Sequence, residues 1–118
     1  MYAGASSHAI LAFRPEGEVR AVVERGLSGL TPRTPHSAAE LEQTHVFVRE
    51  RGYAISDDEV NLGAVGVAAP IWVGNEVSSS IGIILPRQRF HPGVESDLSH
   101  LVITCAHDLG ERVAARLS

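Results

Sequence analysis

Residues 49–59 read RERGYAISDDE, and residues 63–71 read GAVGVAAPI. The second run is apolar at successive positions, which is typical of a strand in a sheet that helices cover on both faces. In the first run, Gly52 can take the left-handed conformation with which helices often end. We therefore expect a helix that ends at Gly52, a strand end before the acidic residues 57–59, and a buried strand over residues 63–73.

A second apolar run follows closely and predicts another strand from Val77 to Leu85. Between the two strands, Gly74 and Asn75 occupy the central positions of a tight hairpin turn, where glycine supplies a positive φ. The pairing register stays open, because counting from the turn and counting from the sequence motifs give alignments that differ by a single residue. Such a slip would exchange the two faces of a strand.

Helical spacing of apolar residues predicts three helices before these strands. The first covers residues 4–13 and stops at Pro15, and the second covers residues 16–25. Residues 29–36 hold prolines and threonines and are expected to form a loop. Ser37-Ala38-Ala39-Glu40 is a capping box that starts the third helix: the serine hydroxyl accepts from the glutamate amide, and the carboxylate reaches back to the serine amide. The inward-facing residues of this helix are expected to be Leu41, His45 and Val48.

After Pro92-Gly93, apolar residues recur at three and four positions and predict a long amphipathic helix. Its apolar face is expected to comprise Val94, Leu98, Leu101, Val102, Cys105, Leu109, Val113 and Leu117. On that face Cys105 is expected to act as a small hydrophobic residue, because a buried thiol is a poor nucleophile. These elements predict an α+β fold in which helices pack against an antiparallel sheet. Strands are few for the number of helices, so we expect an incomplete sheet with an exposed edge.

Composition favours a single globular domain and excludes several other classes of protein. A chain of 118 residues can bury about two thirds of its unfolded surface. Its one cysteine cannot form an internal disulfide, and no apolar run approaches the roughly 20 residues of a membrane span. No export leader is recognisable, which predicts a cytoplasmic location. The formal charge of −4 predicts that the chain repels DNA phosphates.

Taken together, these segments resemble the effector-binding domain of IclR-type transcription regulators. Residues 49–71 resemble the family's R-x-x-G-Y-A segment and its G-x-x-x-[aliphatic]-A-A-P strand. Residues 4–13 read GASSHAILAF and are similar to the family's G-A-S-G-K-A-x-L-A-F helix start, with His8 at the lysine position. Residues 81–86 lie where the family has a strand that ends in Gly-Pro. The resemblance implies a GAF-like fold and a partial effector-binding domain over residues 1–118, with the DNA-binding half expected before Met1.

The resemblance also implies a ligand pocket on the concave side of the sheet. By motif, its residues are Gly4, Ala5, Ser6, Ser56, Ala64, Gly66, Gly82 and Ile84. At the helix start, free amides would attract a carboxylate, and small side chains would let the ligand approach. The alternative is that residues 4–6 are small only because the helix packs closely.

This chain departs from the family pattern at several pocket positions. Ser56 stands where acid-sensing members often carry an acidic residue, and Gly66 stands where they carry cysteine. Strand positions that are commonly serine become Gly82 and Ile84, or residues 83 and 85 if the register is counted from the turn. Both registers remove the hydroxyl groups, so the resemblance implies an effector of low polarity.

Other kinds of site have weaker support in the sequence. The six histidines and one cysteine show neither the i, i+4 nor the C-x-x-C spacing of a metal site. No G-x-S-x-G elbow, Walker-type loop or G-x-G-x-x-G motif appears. We therefore expect no catalysis, metal or cofactor. His45 is expected to be a hydrogen-bonded core residue, and residues 57–59 are expected to form a solvated acidic loop.

Two functions fit these observations. The first is an effector-sensing and dimerisation domain, in which a small organic ligand of low polarity shifts the arrangement of paired copies. A separate domain would contact DNA, and this chain would contact neither nucleic acid nor membrane. The alternative is a scaffold or oligomerisation module with a degenerate pocket. A cavity between Ala5, Ser56, Gly66 and Gly82 would favour the sensor, whereas collapse of these small residues would favour the scaffold.

Overall fold

The computed structural model describes residues 3–27, 31, 33–57 and 63–117. Two short helices and a longer one come first, followed by three strands, a 3-10 turn over Arg87–Arg89 and a final long helix. The helices are α1 (Ala5–Leu11), α2 (Glu16–Glu24), α3 (Ala38–Arg51) and α4 (Pro92–Leu117), and the strands are β1 (Ala54–Asp57), β2 (Ala64–Val73) and β3 (Glu76–Pro86). The described part of the expected loop over residues 29–36 contains neither helix nor strand.

The strands form an open antiparallel sheet in the order β1-β2-β3. Gly74 has a φ of 63°, and the strands it joins pair from Val73 opposite Glu76, as the hairpin prediction requires. Farther along, a register shift between Ile71 and Trp72 places an extra residue in β3. This bulge brings Ile84 opposite Gly66 and resolves the register in favour of the motif-based alignment. The prediction of an incomplete α+β sheet is confirmed.

Helices cover both faces of the sheet. On one face, α1 and α3 pack against β1 and β2 through small side chains, which include Ala5, Ala9, Ala12, Ala54 and Ala68. On the other face, α4 packs through Val102 and Ala106 against branched residues of β2. Gly110 brings this helix so close that a Cβ there would clash with the backbone carbonyl oxygen of Trp72. The architecture is therefore a sheet between two helical layers of different composition.

Both predicted ends of α3 are present. The Ser37 hydroxyl accepts a hydrogen bond from the Glu40 amide at 3.1 Å. The second half of the capping box differs from the prediction, since the Glu40 carboxylate accepts from the His36 amide at 2.7 Å and not from the serine amide. Gly52 ends the helix with a φ of 82°, and its amide donates to the Val48 carbonyl at 2.7 Å.

Only part of the predicted apolar face of α4 is buried. Its buried residues are Val102, Ala106 and Gly110, whereas Leu101 is 49% exposed and Leu117 is 75% exposed. In the helical turns after Gly110, Ala114 is half-buried and the other described residues are exposed. The buried stripe is therefore shorter and narrower than the apolar spacing suggested. No helix in the described ranges combines the length and apolar character needed to cross a membrane.

Candidate functional site

The three strands bring small predicted site residues into one row. Ser56 of β1 lies opposite Gly66 of β2, and Gly66 lies opposite Ile84 of β3. A Cβ built on Gly66 would lie 2.9 Å from the Ser56 Oγ, 3.4 Å from the Ala5 Cβ and 3.9 Å from the Ile84 Cγ1. These four residues, here called the small-residue junction, come from four different elements of the fold. Four of the eight expected site residues therefore lie side by side. The close contacts of Gly66 with Ser56 and Ala5 match the collapse that favours a scaffold more than they match an open cavity.

The start of α1 is held over the sheet by the chain around Gly4 and by one side-chain hydrogen bond. Gly4 has a φ of 90°, a conformation that favours glycine, and both Gly4 and Ala5 are buried. The Ser80 hydroxyl of β3 donates to the Ser6 carbonyl at 3.1 Å. The Ser6 side chain itself is exposed. Ser6 therefore contributes its backbone to this contact between helix and sheet.

The two other predicted strand residues lie beside the junction. Gly82 pairs with Ala68, and a Cβ on Gly82 would lie 2.9 Å from the Ala68 Cβ and 3.0 Å from the Val67 carbonyl oxygen. Close strand packing therefore explains this glycine. Ala64 is half-buried and pairs with Pro86 at the opposite end of the hairpin.

The junction borders solvent at one of its four residues. The Ser56 hydroxyl and the Ala5 methyl are buried, but the Ile84 side chain is 77% exposed. A branched apolar side chain of this exposure offers surface that a ligand or another chain could remove from water. The junction combines one hydroxyl with several apolar groups, which suits hydrogen bonding to a single polar atom of a mainly apolar molecule.

Asp57 has charged partners that the sequence did not reveal. Its carboxylate accepts a hydrogen bond from the Arg87 guanidinium and lies 3.5 Å from Nη1 of Arg33. The Arg87 amide also donates to the Gly63 carbonyl at 2.8 Å, near the end of the β2–β3 hairpin. The expectation of a solvated acidic loop is therefore wrong for Asp57, a strand residue with two arginine partners. Residues 58 and 59 lie outside the described residues.

His8 of α1 and His45 of α3 lie next to each other in the core. The rings of His8 and His45 lie edge to face with centroids 6.1 Å apart, and both residues are buried. Burial, together with a smaller contribution from the charge of His8, lowers the pKa of His45 from 6.5 to about 4. Within the described residues the His45 Nε2 has no hydrogen-bond partner. His45 is thus a core residue as expected, but the predicted hydrogen bond of its ring is wrong at this nitrogen.

The described residues contain no group of three or more histidine, cysteine, aspartate or glutamate side chains that could hold a metal ion. Cys105 was expected to be buried, but it is only half-buried. The functional contacts that sequence reasoning missed are the Asp57 ion pairs, the histidine contact and the Ser80 hydrogen bond. All of them join residues far apart in the chain, and no local pattern signals them.

Comparison with known proteins identifies relatives over nearly the whole chain. The family model "Bacterial transcriptional regulator IclR C-terminal" matches residues 1–111. The HTH-type transcriptional regulator BhcR of Paracoccus denitrificans is 31% identical over 118 residues, covering 98% of this chain and 42% of BhcR. This chain therefore spans less than half the length of that relative.

Solved structures share the same fold. The crystal structure of Thermotoga maritima IclR has a TM-score of 0.90 at 26% identity, covering 96% of this chain and 47% of that one. A double mutant of the Acinetobacter PobR inducer-binding domain, in complex with 3-hydroxybenzoic acid, has a TM-score of 0.82 at 22% identity. The match covers 92% of this chain and 66% of the PobR chain and shows likeness of fold alone. From the family match and the relative's identity, the chain belongs to the C-terminal domain family of IclR-type bacterial transcriptional regulators.

Proposed function

We propose that this chain senses a small organic effector of low polarity at the small-residue junction. The observation that carries the proposal is the meeting of the Ser56 hydroxyl, the Gly66 backbone and the Ala5 methyl beside the exposed Ile84 side chain. One hydroxyl with apolar surroundings favours a ligand with few polar atoms. The use of this fold by an inducer-binding domain that holds 3-hydroxybenzoic acid is consistent with such a role.

In this proposal, the backbone amides at the start of α1 contribute little to the binding energy of the ligand. That helix has only seven residues and no acidic side chain in its first turn, and Ser6 faces solvent. A short helix has a weak dipole, so anion binding by its amides is a minor contribution. Gly4 and Ser6 would shape the site through their backbone, while Ala64 and Gly82 would set its width along the strands.

Sensing would act on transcription through the arrangement of paired chains. A ligand that binds one arrangement more tightly shifts the population towards it. The DNA-contacting role would belong to a separate domain of the regulator, because the net charge of −4 disfavours phosphate contact by this chain. The exposed edge of β3 and the uncovered side of α4 are the surfaces through which we propose that copies associate.

The test is a thermal-shift screen over aromatic and aliphatic acids, followed by titration of a hit against Gly66→Ala. The added methyl would lie 2.9 Å from the Ser56 Oγ, which can rotate away, and 3.4 Å from the Ala5 Cβ. We expect a destabilisation of about 1 kcal/mol and a loss of affinity of about tenfold, since the methyl takes the space of closest approach.

Gly17→Ala is the matched control, because a Cβ at that exposed helical position meets nothing within 4 Å. Its affinity for the hit should equal that of the parent chain. Equal affinity of parent and Gly66→Ala would contradict the proposed location of the site, and a screen without hits would contradict sensing of such acids.

A scaffold role with a degenerate pocket is the second candidate. It is favoured by the close approach of Ala5 to Gly66 and by the large exposed side chains of Ile84 and Leu117. Light scattering on the parent chain should show a dimer or larger assembly in either case. A monomer at high micromolar concentration would remove the scaffold and the proposed pairing together.

A further inference from the structure

A second cleft lies away from the small-residue junction, between α3 and the segment of residues 33–35. Its cavity volume is about 500 Å³, within the range of about 300–1,000 Å³ that small-molecule sites occupy. Ile55 of β1 lines this cleft, whereas its neighbour Ser56 lines the junction. Because successive strand residues point to opposite faces, β1 separates the two sites.

The cleft has an apolar wall and a polar rim. The wall includes Phe47, Ile55 and Pro35, and Phe47 is fixed by an edge-to-face contact with the Tyr53 ring at 5.9 Å between centroids. The rim carries Arg33 together with polar side chains of α3, which are Glu40, Gln43 and Thr44. Such a surface suits a compact ring with one polar group at its edge.

The polar groups at the rim differ in how strongly other residues of the chain bind them. The Glu40 carboxylate caps α3 through the 2.7 Å hydrogen bond from the His36 amide. The Thr44 hydroxyl donates to the Glu40 carbonyl at 3.1 Å. Arg33, in contrast, has a 58% exposed side chain and only a 3.5 Å contact with Asp57. Arg33 is therefore the rim group that can turn to an incoming anion at the smallest cost.

Moving Arg33 would not leave Asp57 uncompensated, because Arg87 also donates to that carboxylate. We propose that this cleft, here called the α3 cleft, binds a small monocarboxylic acid with a compact apolar body. Arg33 pairs with the carboxylate, and the apolar body covers Phe47 and Ile55. Since Asp57 directly follows Ser56 in β1, an acid bound in the α3 cleft also changes the charge pairing next to the junction. This site is additional to the proposed effector site and does not depend on it.

The experiment uses benzoate as the probe and benzamide as its neutral counterpart, with binding followed by residue-resolved amide NMR shifts. Benzoate is small, so we expect a millimolar dissociation constant and shifts concentrated at residues 33, 34, 43–47 and 55. Benzamide should bind about fivefold more weakly, as expected for the loss of one partly exposed ion pair. Arg33→Gln should weaken the binding of benzoate by the same factor and abolish the preference for benzoate over benzamide.

Arg20→Gln is the matched control. Arg20 has a 64% exposed side chain and a 3.4 Å ion pair with Glu16, close to the values for Arg33, but it lies on α2 outside the cleft. This variant should bind benzoate like the parent chain. A second variant, Thr44→Phe, fills the cleft and should remove the shifts even if Arg33→Gln proves poorly folded.

Three outcomes would overturn the α3 cleft as an acid site. They are the absence of shifts at its residues, equal binding of benzoate and benzamide, and equal loss of binding in Arg33→Gln and Arg20→Gln. Shifts confined to Ala5, Ser56 and Gly66 would also overturn it, while supporting the separate effector site.

Discussion

The cores on the two faces of the sheet consist of side chains of different size. On the face covered by α1 and α3, the core consists mainly of alanines together with the buried histidines His8 and His45. On the face covered by α4, valine and isoleucine dominate. Branched side chains bury more apolar area, so the α4 face supplies more of the stability. The small side chains of the other face let α1 approach the sheet closely, and this face also contains a buried hydroxyl and two buried imidazoles.

The largest expected effect concerns the contact that seats α4 on its face. Gly110→Ala places a methyl against the Trp72 carbonyl oxygen, a backbone atom that cannot move without shifting the hairpin. We expect this variant to lose about 3 kcal/mol of unfolding free energy, despite the higher helix propensity of alanine. Urea unfolding measures the loss.

Gly17→Ala is again the comparison, because both glycines lie within helices but only Gly110 meets backbone. The Gly17 variant should be unchanged or slightly more stable. If Gly110→Ala is as stable as Gly17→Ala, then α4 does not approach the hairpin as closely as described, and the contrast between the faces weakens.

The second effect concerns the buried His45 on the face covered by α1 and α3, and it is measured as the dependence of the unfolding free energy on pH. Because the folded-state pKa of His45 is lowered to about 4 from 6.5, the unfolded chain takes up a proton between these values and the folded chain does not. The stability is therefore complete above pH 6.5 and decreases as the pH falls towards 4. Down to about pH 5 we expect a loss of about 2 kcal/mol. The other charges near the ring are those of His8, Glu42 and Arg49.

Unfolding at several pH values should show this slope in the parent and a much flatter one in His45→Gln. The control is His107→Gln, since His107 is exposed on α4, with 76% of its side chain accessible. Its slope should match that of the parent chain. A His45→Gln variant with an unaltered slope would mean that the buried imidazole is not the group that loses stability with acid.

The smallest effect concerns the hydrogen bond that ties α1 to β3. Ser80→Ala removes the donor to the Ser6 carbonyl and should cost about 0.5 kcal/mol, because the contact is exposed. Ser99→Ala removes a similar exposed bond of 3.0 Å within α4, where alanine is the better helix former, and should leave stability unchanged or raised. Hydrogen exchange of the α1 amides should quicken only in Ser80→Ala. Equal exchange in both variants would show that the Ser80 hydrogen bond does not hold α1 on the sheet.

Local signals explain how much of the fold could be predicted from the sequence. The hairpin turn at Gly74, the helix end at Gly52 and the helix start at Ser37 each depend on a few adjacent residues, and all three are present. The family resemblance is confirmed over residues 1–111. Composition and spacing also gave the α+β class, because periodicity reflects which residues face the core.

What could not be predicted depends on residues distant in the chain. The bulge in β3 opposite the step from Ile71 to Trp72 fixes the register, but the apolar pattern does not reveal it, so both alignments stayed open. Asp57 accepts a hydrogen bond from Arg87, which lies 30 positions later in the chain, and no spacing rule predicts such a contact. The apolar spacing in α4 predicted which residues share a face of the helix, but not which of them are buried. At the site, motifs named the residues, but only the fold shows that Ala5, Ser56, Gly66 and Ile84 converge while Ser6 turns outward.

We propose that the small-residue junction binds the effector, and a crystal structure with a hit from the acid screen is the decisive experiment. We expect the ligand to lie against Gly66, to accept or donate one hydrogen bond at the Ser56 hydroxyl, and to cover the Ile84 side chain. A ligand bound elsewhere, with Ile84 still exposed and Ala5 still packed against Gly66, would contradict it.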